Sequence, residues 1–534
     1  MELTESTETT KTTQKDVIVI GAGVSGLVGA KCLQEDGFSV AVLERTGEVG
    51  GLWMFRENDY GVMRFTHINV SKHNYCFSDF PFPDDVCDFP HNTDMANYIV
   101  DYTKHFKLND LIHFHIKVLH VERKNEEWHV TVCRTEDDGK TETKDREIFV
   151  GKFLAIASGH HAAPNRIQLK GEETFTGDII HSVDYNDAIT NGYVGKRVLV
   201  VGIGNSAVDV AVDCATVGRC KSVYISTRSG AWIVPNYVFG HAVDLYACRA
   251  FFMLPWRWAN VIFETIIKLI SGNPRSWGLN PKMRALQTQP TVSPTLIHHI
   301  QRENITLVPN ILKVDGDTVY FVNGSSAKFD SIICCTGYKI NLPYLSSELR
   351  EQVMDENKNS IKLYKNVFSP HVGHTLGFIG FVQPASGGIL TMSEIQARWF
   401  SQLCKGKVRL PSNMDMEQDI CRERRLQSER WYESPRHTIQ RDPIKYNDEI
   451  ASFIGSKPNI FKHPSLAWRL IFGSCGAYQW RLQGPNKWSG AEEAVRGVPL
   501  TELMTVSGIA VAAILLLVAF FSFCVFYRML DVLF

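Results

Sequence analysis

Apolar residues along this chain fall into short unbroken runs and longer stretches of helical period. Val17 to Ile20 is an apolar run that stops at Gly21, and Leu27 to Leu33 continues at helical spacing. A second run, Ser39 to Leu43, closes on Glu44. The order predicted is strand, tight turn, helix, strand, which opens a dinucleotide-binding unit. The same order begins again at Lys196, whose apolar run reaches Gly202, and Ser222 to Ser226 forms the strand after the helix. Between these units, Asp94 to Phe106 has helical spacing. His113 to Thr143 alternates and predicts strands, with a hairpin turn near Asp137-Asp138-Gly139. Phe153 to Ser158 reads as a buried strand ending at Gly159. Further on, Asp330 to Cys335 is a strand closing on Thr336-Gly337, and Leu376 to Val382 is a strand running into a turn at Gln383-Pro384. Glu394 to Leu403 is a helix, and Asp415 to Asp442 is a charged, solvated helical stretch.

The two ends of the chain contrast. Met1 to Lys15 is polar and has no apolar core, so a disordered leader is expected rather than a signal peptide. Val506 to Tyr527 carries no charge and is long enough to span a bilayer. Only Arg528 to Phe534 follow, which predicts a tail anchor with the bulk of the chain facing the cytosol. A buried core helix is the alternative, disfavoured by apolarity on every face. Asn236 to Gly272 is rich in aromatics, among them Tyr246, Trp256, Trp258 and Phe263. It reads as core or as a membrane-interface surface, and the two are not exclusive.

Composition narrows the class. At 534 residues the chain exceeds one core. Net charge is −1 and no basic tract stands out, so no nucleic-acid partner is expected. The 13 cysteines are scattered and form no C-x-x-C, which argues against a disulfide framework or a metal site. Adjacent Cys334 and Cys335 would point to opposite faces of a strand and read as packing residues.

The glycines carry the first chemistry. Gly21 permits the tight turn, Gly23 lets a pyrophosphate approach the backbone, and Gly26 lets helix and strand pack closely. The helix start offers free N–H groups to an anion. Glu44 accepts from ribose hydroxyls and repels a 2′-phosphate, so the first unit wants FAD or NAD. In the second unit Gly202, Gly204, Asn205, Ser206 and Ala207 repeat the turn, with Ala207 at the third-glycine position. Its second strand ends not on an acid but on Thr227-Arg228, and a cation there suits the 2′-phosphate of NADP. Opposite charges at corresponding positions assign a bare ribose to the first unit and a phosphorylated one to the second.

Between the two units stands Phe175-x-Gly177-x-x-x-His181-Ser182-x-x-Tyr185. It is similar to the motif that identifies the flavin-containing monooxygenases, and the chain resembles their animal, membrane-bound, microsomal type. Gly50-Gly51-Leu52-Trp53 resembles its second flavin contact, which favours FAD over NAD in the first unit. Asn69 matches its active-site asparagine, Thr336-Gly337-Tyr338 matches its strand end, and the C-terminal span matches its endoplasmic-reticulum anchor. Two features depart from the family: the leader is longer, and Ala157-Ser158-Gly159 stands where Ala-Thr-Gly is common.

The expected fold is α/β, with two Rossmann-like dinucleotide-binding domains, for FAD and NADPH, and a C-terminal transmembrane helix. The expected division is a leader at 1–15, a first FAD part at 16–163 and an NADPH domain at 164–330 with an aromatic insertion at 236–300. A second FAD part at 331–440, a membrane-proximal segment at 441–505 and the span at 506–527 complete it. The resemblance implies that NADPH reduces FAD and that oxygen then forms a flavin hydroperoxide, which oxygenates a soft nitrogen or sulfur atom. Asn69 is the expected catalytic residue. FAD is expected on Gly21, Gly23, Gly26, Glu44, Gly51, Leu52, Trp53, Thr336, Gly337 and Gln383. NADP is expected on Gly202, Gly204, Asn205, Ser206, Ala207, Thr227 and Arg228, and no metal is expected. The partners implied are small amines or thioethers, molecular oxygen, membrane lipid and, left open, a second copy in a homo-oligomer. Alternatives are an NADPH oxidase releasing hydrogen peroxide and Baeyer–Villiger oxygenation of ketones, against which Tyr185 in place of Trp argues mildly. A disulfide reductase would need a redox cysteine pair beside a glycine turn, and none is seen. A non-catalytic membrane scaffold would have no need to keep both turns together with Asn69.

Overall fold

The computed structural model describes residues 11–57, 59–137, 139–161, 163–435 and 437–504, with 510, 513, 516–521 and 523 beyond them. The first unit contains β1 (Lys11–Ile20), α1 (Val24–Glu35), β2 (Val40–Leu43), α2 (Asn92–His105), β3 (Ile112–His113), β4 (Ile116–Lys124), β5 (Glu127–Thr135) and β6 (Glu142–Ile156). Its sheet has the order β3-β2-β1-β6-β5-β4. The β3-β2-β1-β6 portion is parallel and β6-β5-β4 is antiparallel. Val17 to Ile20 are at most 5% exposed, because a parallel strand covered on both faces needs apolar residues at every position.

One local expectation is corrected here, and one turn is added to those expected. Residues 11–15 do not belong to a leader but extend β1, in register with Glu147 to Gly151 of β6. The long β6 runs past the core and offers its backbone to the polar residues, a pairing that needs no apolar pattern. A second hairpin turn, at Asn125-Glu126, joins β4 to β5, and both residues have positive φ (49° and 66°). Glu rarely adopts that conformation, so no turn signal marked it.

The second unit is a five-stranded parallel sheet. It contains β7 (Asp178–His181), β8 (Arg197–Val201), α3 (Asn205–Ala215), β9 (Ser222–Ser226), β10 (Ile305–Val308) and β11 (Ser331–Cys334), with order β10-β9-β8-β11-β7. The expected boundary at 330/331 falls too early, because β11 lies between β8 and β7 in this sheet. The crossing between units is made by two segments paired antiparallel, Ala163-Pro164 and Tyr338-Lys339.

Between β9 and β10 lies the insertion, which carries α4 (Trp256–Ser271). Ile267 packs with Trp232, Val234 and Ala285 in a small core, whereas Trp258, Val261, Ile262 and Leu269 are exposed. Core and open apolar surface thus occupy different faces of one helix.

The chain then returns to the first sheet. β12 (Leu376–Phe378) pairs with Leu154 to Ile156 at the far end of β6. α5 (Ile389–Cys404) packs on α1, with Ser25 Oγ and Ser393 Oγ 3.0 Å apart. α6 (Asn413–Arg430) buries only Met416, as a solvated helix should. Leu466, Leu470, Tyr478, Trp480 and Val495 join the core formed by Val17 and Leu27. The segment expected to be merely membrane-proximal is therefore part of the first unit. Its Arg481, 1% exposed, pairs with Glu394 of α5 at 2.5 Å and with Asp79 at 2.9 Å, and Asp79 also binds Lys31 of α1. Most of the expected span at 506–527 lies outside the described residues. Among the described residues no helix is long and apolar enough to cross a membrane.

Candidate functional site

Both glycine turns end a parallel strand and start a helix, so the two sites open at corresponding sheet edges. Gly21 has φ +103°, and a Cβ on it would lie 2.8 Å from the Ala157 carbonyl oxygen. A Cβ on Gly26 would lie 1.8 Å from the Gly21 oxygen, so strand and helix contact through backbone alone. In the second unit Gly202 has φ +126°, and its Cβ would lie 2.5 Å from the Cys335 oxygen. The helix N-caps are Gly23 and Gly204. Neither helix has a capping side chain or an acid in its first turn, which leaves both starts open to an anion.

A cavity of about 540 Å³ opens at the first turn. Gly21, Gly23, Glu44, Gly51, Leu52, Trp53 and Gln383 line it, and Gly26 lies beneath it as packing. The Glu44 carboxylate accepts from Ala22 N (2.8 Å), Thr46 N (3.0 Å) and Thr46 Oγ1 (2.9 Å), which locks it at the end of β2. A carboxylate has about four acceptor sites, so one remains for a ribose hydroxyl. Two expected residues fall elsewhere. Thr336 lines neither cavity, and its Oγ1 donates to Asn165 O at 2.6 Å in the crossing between units. Gly337 faces the second cavity, because β11 belongs to the second sheet. The first cavity is also lined by Gly380, which follows β12 and stands near the expected Gln383.

The second cavity, about 810 Å³, is lined by Gly204, Asn205, Ser206 and Ala207, while Gly202 lies behind it in the turn. Thr227 Oγ1 accepts from Gly230 N at 3.1 Å. Arg228 is exposed two residues past β9 and, among the described residues, makes no hydrogen bond or ion pair. Neither residue lines the cavity; both stand outside it.

The two cavities share a wall. Trp53, Asn69, His160, Asn205, Gln289 and Gln383 line both. Ile68 and Val70 are buried in the core, whereas Asn69, on a bend between them, is half-buried and faces both cavities, and among the described residues its amide has no intramolecular partner. Gln289 and His160 were missed in the sequence. Gln289 lies in the insertion without a local motif, and His160 follows Gly159 as an unremarkable residue. Burial pushes His160 down to about 4, and its Nδ1 lies 3.0 Å from the Gly380 carbonyl. The ring is therefore neutral and donates to that oxygen.

The remaining motif residues act as scaffold. His181 Nδ1 accepts from Val183 N (3.2 Å), its Nε2 lies 3.2 Å from Gly337 O, and burial lowers its pKa. Tyr185, 2% exposed, donates to Asp213 Oδ2 at 2.7 Å and so braces the far end of α3. Cys334 and Cys335 are free and pack into two different cores, as opposite strand faces require. Among the described residues no group of three or more side chains could hold a metal.

Two dinucleotide turns facing one shared wall define a flavoprotein that uses a nicotinamide cofactor. Comparison with known proteins agrees: residues 14–529 match the family described as flavin-binding monooxygenase-like. The chain is 36% identical to human flavin-containing monooxygenase 5, over 90% of this chain and 91% of that one. It is 35% identical to rat dimethylaniline monooxygenase (N-oxide-forming) 2, with the same coverage. Among solved structures, S-allyl-L-cysteine S-oxygenase from Allium sativum aligns with a TM-score of 0.62 at 20% identity, covering 83% of this chain and 89% of that one. Cyclohexanone monooxygenase from Rhodococcus sp. Phi1 aligns with a TM-score of 0.56 at 16% identity, covering 77% and 89%. The chain belongs to the flavin-binding monooxygenase family, and it is an NADPH- and oxygen-dependent enzyme with FAD as its flavin.

Proposed function

We propose that this enzyme oxygenates soft nitrogen or sulfur atoms of small molecules, and that Asn69 is the residue on which transfer depends. The first cavity would hold FAD, with the start of α1 to receive a pyrophosphate and Glu44 to receive a ribose. The second would hold NADPH, with the start of α3 to receive a pyrophosphate and Thr227 and Arg228, outside the cavity, to receive a 2′-phosphate. When bound, FAD supplies hydride acceptance and oxygen activation. The chain supplies position, dryness and hydrogen bonds. The single observation that carries this reading is the unengaged amide of Asn69 on the wall common to both cavities. An amide donates and accepts at once, so it can hold the nicotinamide cofactor and the reacting oxygen together. The printed names of the rat relative and the Allium structural neighbour, an N-oxide-forming and an S-oxygenating enzyme, support the substrate class.

The enzyme acts at the endoplasmic-reticulum membrane, anchored by residues 506–527 with its catalytic part in the cytosol. The exposure of Leu516, Leu517, Phe520 and Phe521 on the described helical stretch 516–521 supports a lipid-facing surface. The exposed face of α4 supports a second contact with lipid.

The test is product analysis with purified protein, NADPH, oxygen and either N,N-dimethylaniline or S-allyl-cysteine. N-oxide or sulfoxide formed in step with NADPH consumed is expected. Asn69→Asp should keep FAD and NADPH oxidation but release peroxide instead of oxygenated product. Peroxide alone from the wild type would make the enzyme an oxidase, and ester from a ketone would make it a Baeyer–Villiger enzyme.

A further inference from the structure

We infer that Asp244 is a positioning residue for Asn69: the insertion between β9 and β10 supplies a buried acid that fixes the loop on which Asn69 stands. Asp244 is 7% exposed. Its Oδ1 accepts from Ser71 N at 3.0 Å, and its Oδ2 contacts Ser71 Oγ and Asn74 Nδ2, each at 2.6 Å. The Asp244 carbonyl also accepts from Asn74 Nδ2, at 3.2 Å. Asn74 N donates to Ser71 O at 2.9 Å, so the two residues that grip Asp244 are themselves closed into a turn. Among the described residues no cation pairs with Asp244. Among the described residues, its side-chain bonds to other residues go to Ser71 and Asn74, on the loop that begins two residues after Asn69.

That distribution makes acid and loop mutually dependent. A buried acid needs its donors, because an unsatisfied one is costly. Here those donors are a backbone N–H and two side chains of the Asn69 loop, so the loop cannot shift without stripping Asp244. Burial raises the carboxyl's pKa, and the bonds from Ser71 and Asn74 oppose that rise. On the other side of Asn69, Ile68 is held in the core, so the residue is tethered at both ends. A displacement of the order of an ångström at a reacting group is enough to lose about a hundredfold in rate, which makes such a tether consequential. The same insertion brings Asn236 and Tyr237 to the wall of the second cavity. One segment thus lines the NADPH side and sets the residue shared with the flavin side.

The inference rests on the proposed role of Asn69, and its test separates the two. Holoenzymes of Asp244→Ala, Asp244→Asn, Ser71→Ala and Asn69→Asp are compared with wild type. The readouts are FAD content, apparent KM for NADPH, sulfoxide formed per NADPH consumed, and hydrogen–deuterium exchange of the Ser71 to Asn74 amides. Asp244→Ala is expected to keep FAD and to change the KM for NADPH by less than about twofold, because the start of α3 is untouched. Its coupling should fall about five- to tenfold, with faster exchange confined to the loop. Asp244→Asn, which keeps an acceptor for Ser71 N, is expected to recover part of the coupling. If Asp244→Ala loses FAD, Asp244→Asn and Ser71→Ala carry the test. Wild-type coupling in the FAD-loaded variants overturns the inference while a damaged Asn69→Asp still supports the role of Asn69. Coupling lost only in proportion to FAD assigns Asp244 a purely structural role and also overturns it. Wild-type coupling in Asn69→Asp removes the underlying reading instead.

Discussion

Gln383 Nε2 donates to Gln289 Oε1 at 2.8 Å, joining the segment after β12 to the insertion of the second unit. The bond spans the wall common to both cavities. Gln289→Leu keeps the volume and removes the acceptor. NADPH affinity is expected to fall by about 1 kcal/mol, roughly fivefold, with FAD content unchanged. Fluorescence titration with NADPH checks it, and parallel loss of FAD would show that the bond serves folding instead.

Arg228 is exposed just beyond β9 and, among the described residues, has no ion-pair partner. If it meets the 2′-phosphate, Arg228→Ala should raise the apparent KM for NADPH about tenfold and leave that for NADH nearly unchanged, since a charged hydrogen bond contributes about 1.5–3 kcal/mol. Equal effects on both cofactors would refute the assignment.

His160 makes stability depend on pH. Burial lowers its pKa from 6.5 to about 4. The unfolded chain therefore takes up the proton first as pH falls, so the contribution is complete above 6.5 and is lost on the way down to about 4. Linkage gives a loss of about 2 kcal/mol by roughly pH 5. Urea unfolding at neutral and mildly acid pH measures it, and His160→Gln should flatten that slope.

Arg481 neutralises Glu394 and Asp79 in the core under α1. Arg481→Met fills much of the space; Asp79 keeps Lys31, but buried Glu394 is left, among the described residues, without a cation. A loss of about 3–5 kcal/mol is expected, read by denaturant unfolding. The double variant Arg481→Met with Glu394→Gln should recover part of it, because removing the acid removes the uncompensated charge.

Both glycine turns, the order of strands and helices around them and the covered parallel strands were legible in the sequence. Each depends on residues within a few positions of one another: Gly21 and Gly26 admit a turn, Val17 to Ile20 require burial on two faces, and the helices repeat with their own period. Asn69 was singled out by resemblance to a family, and the structure puts it on the wall common to both cavities. Lys11 to Lys15 were not, because backbone pairing with β6 places no demand on side chains. Ser331 to Cys334 read correctly as a strand, yet its sheet could not be assigned, since an apolar strand fits either core. Thr336 and Gly337 were misplaced with it. Gln289 and Asp244 carry no local signal, because their partners lie about 90 and 170 residues away along the chain. Local chemistry and period determined that this chain builds two dinucleotide turns, one followed by a strand ending on Glu44 and the other by a strand leading to Arg228. Only the tertiary structure decided which residues share the wall between them, because that depends on contacts across the chain and not on spacing within it.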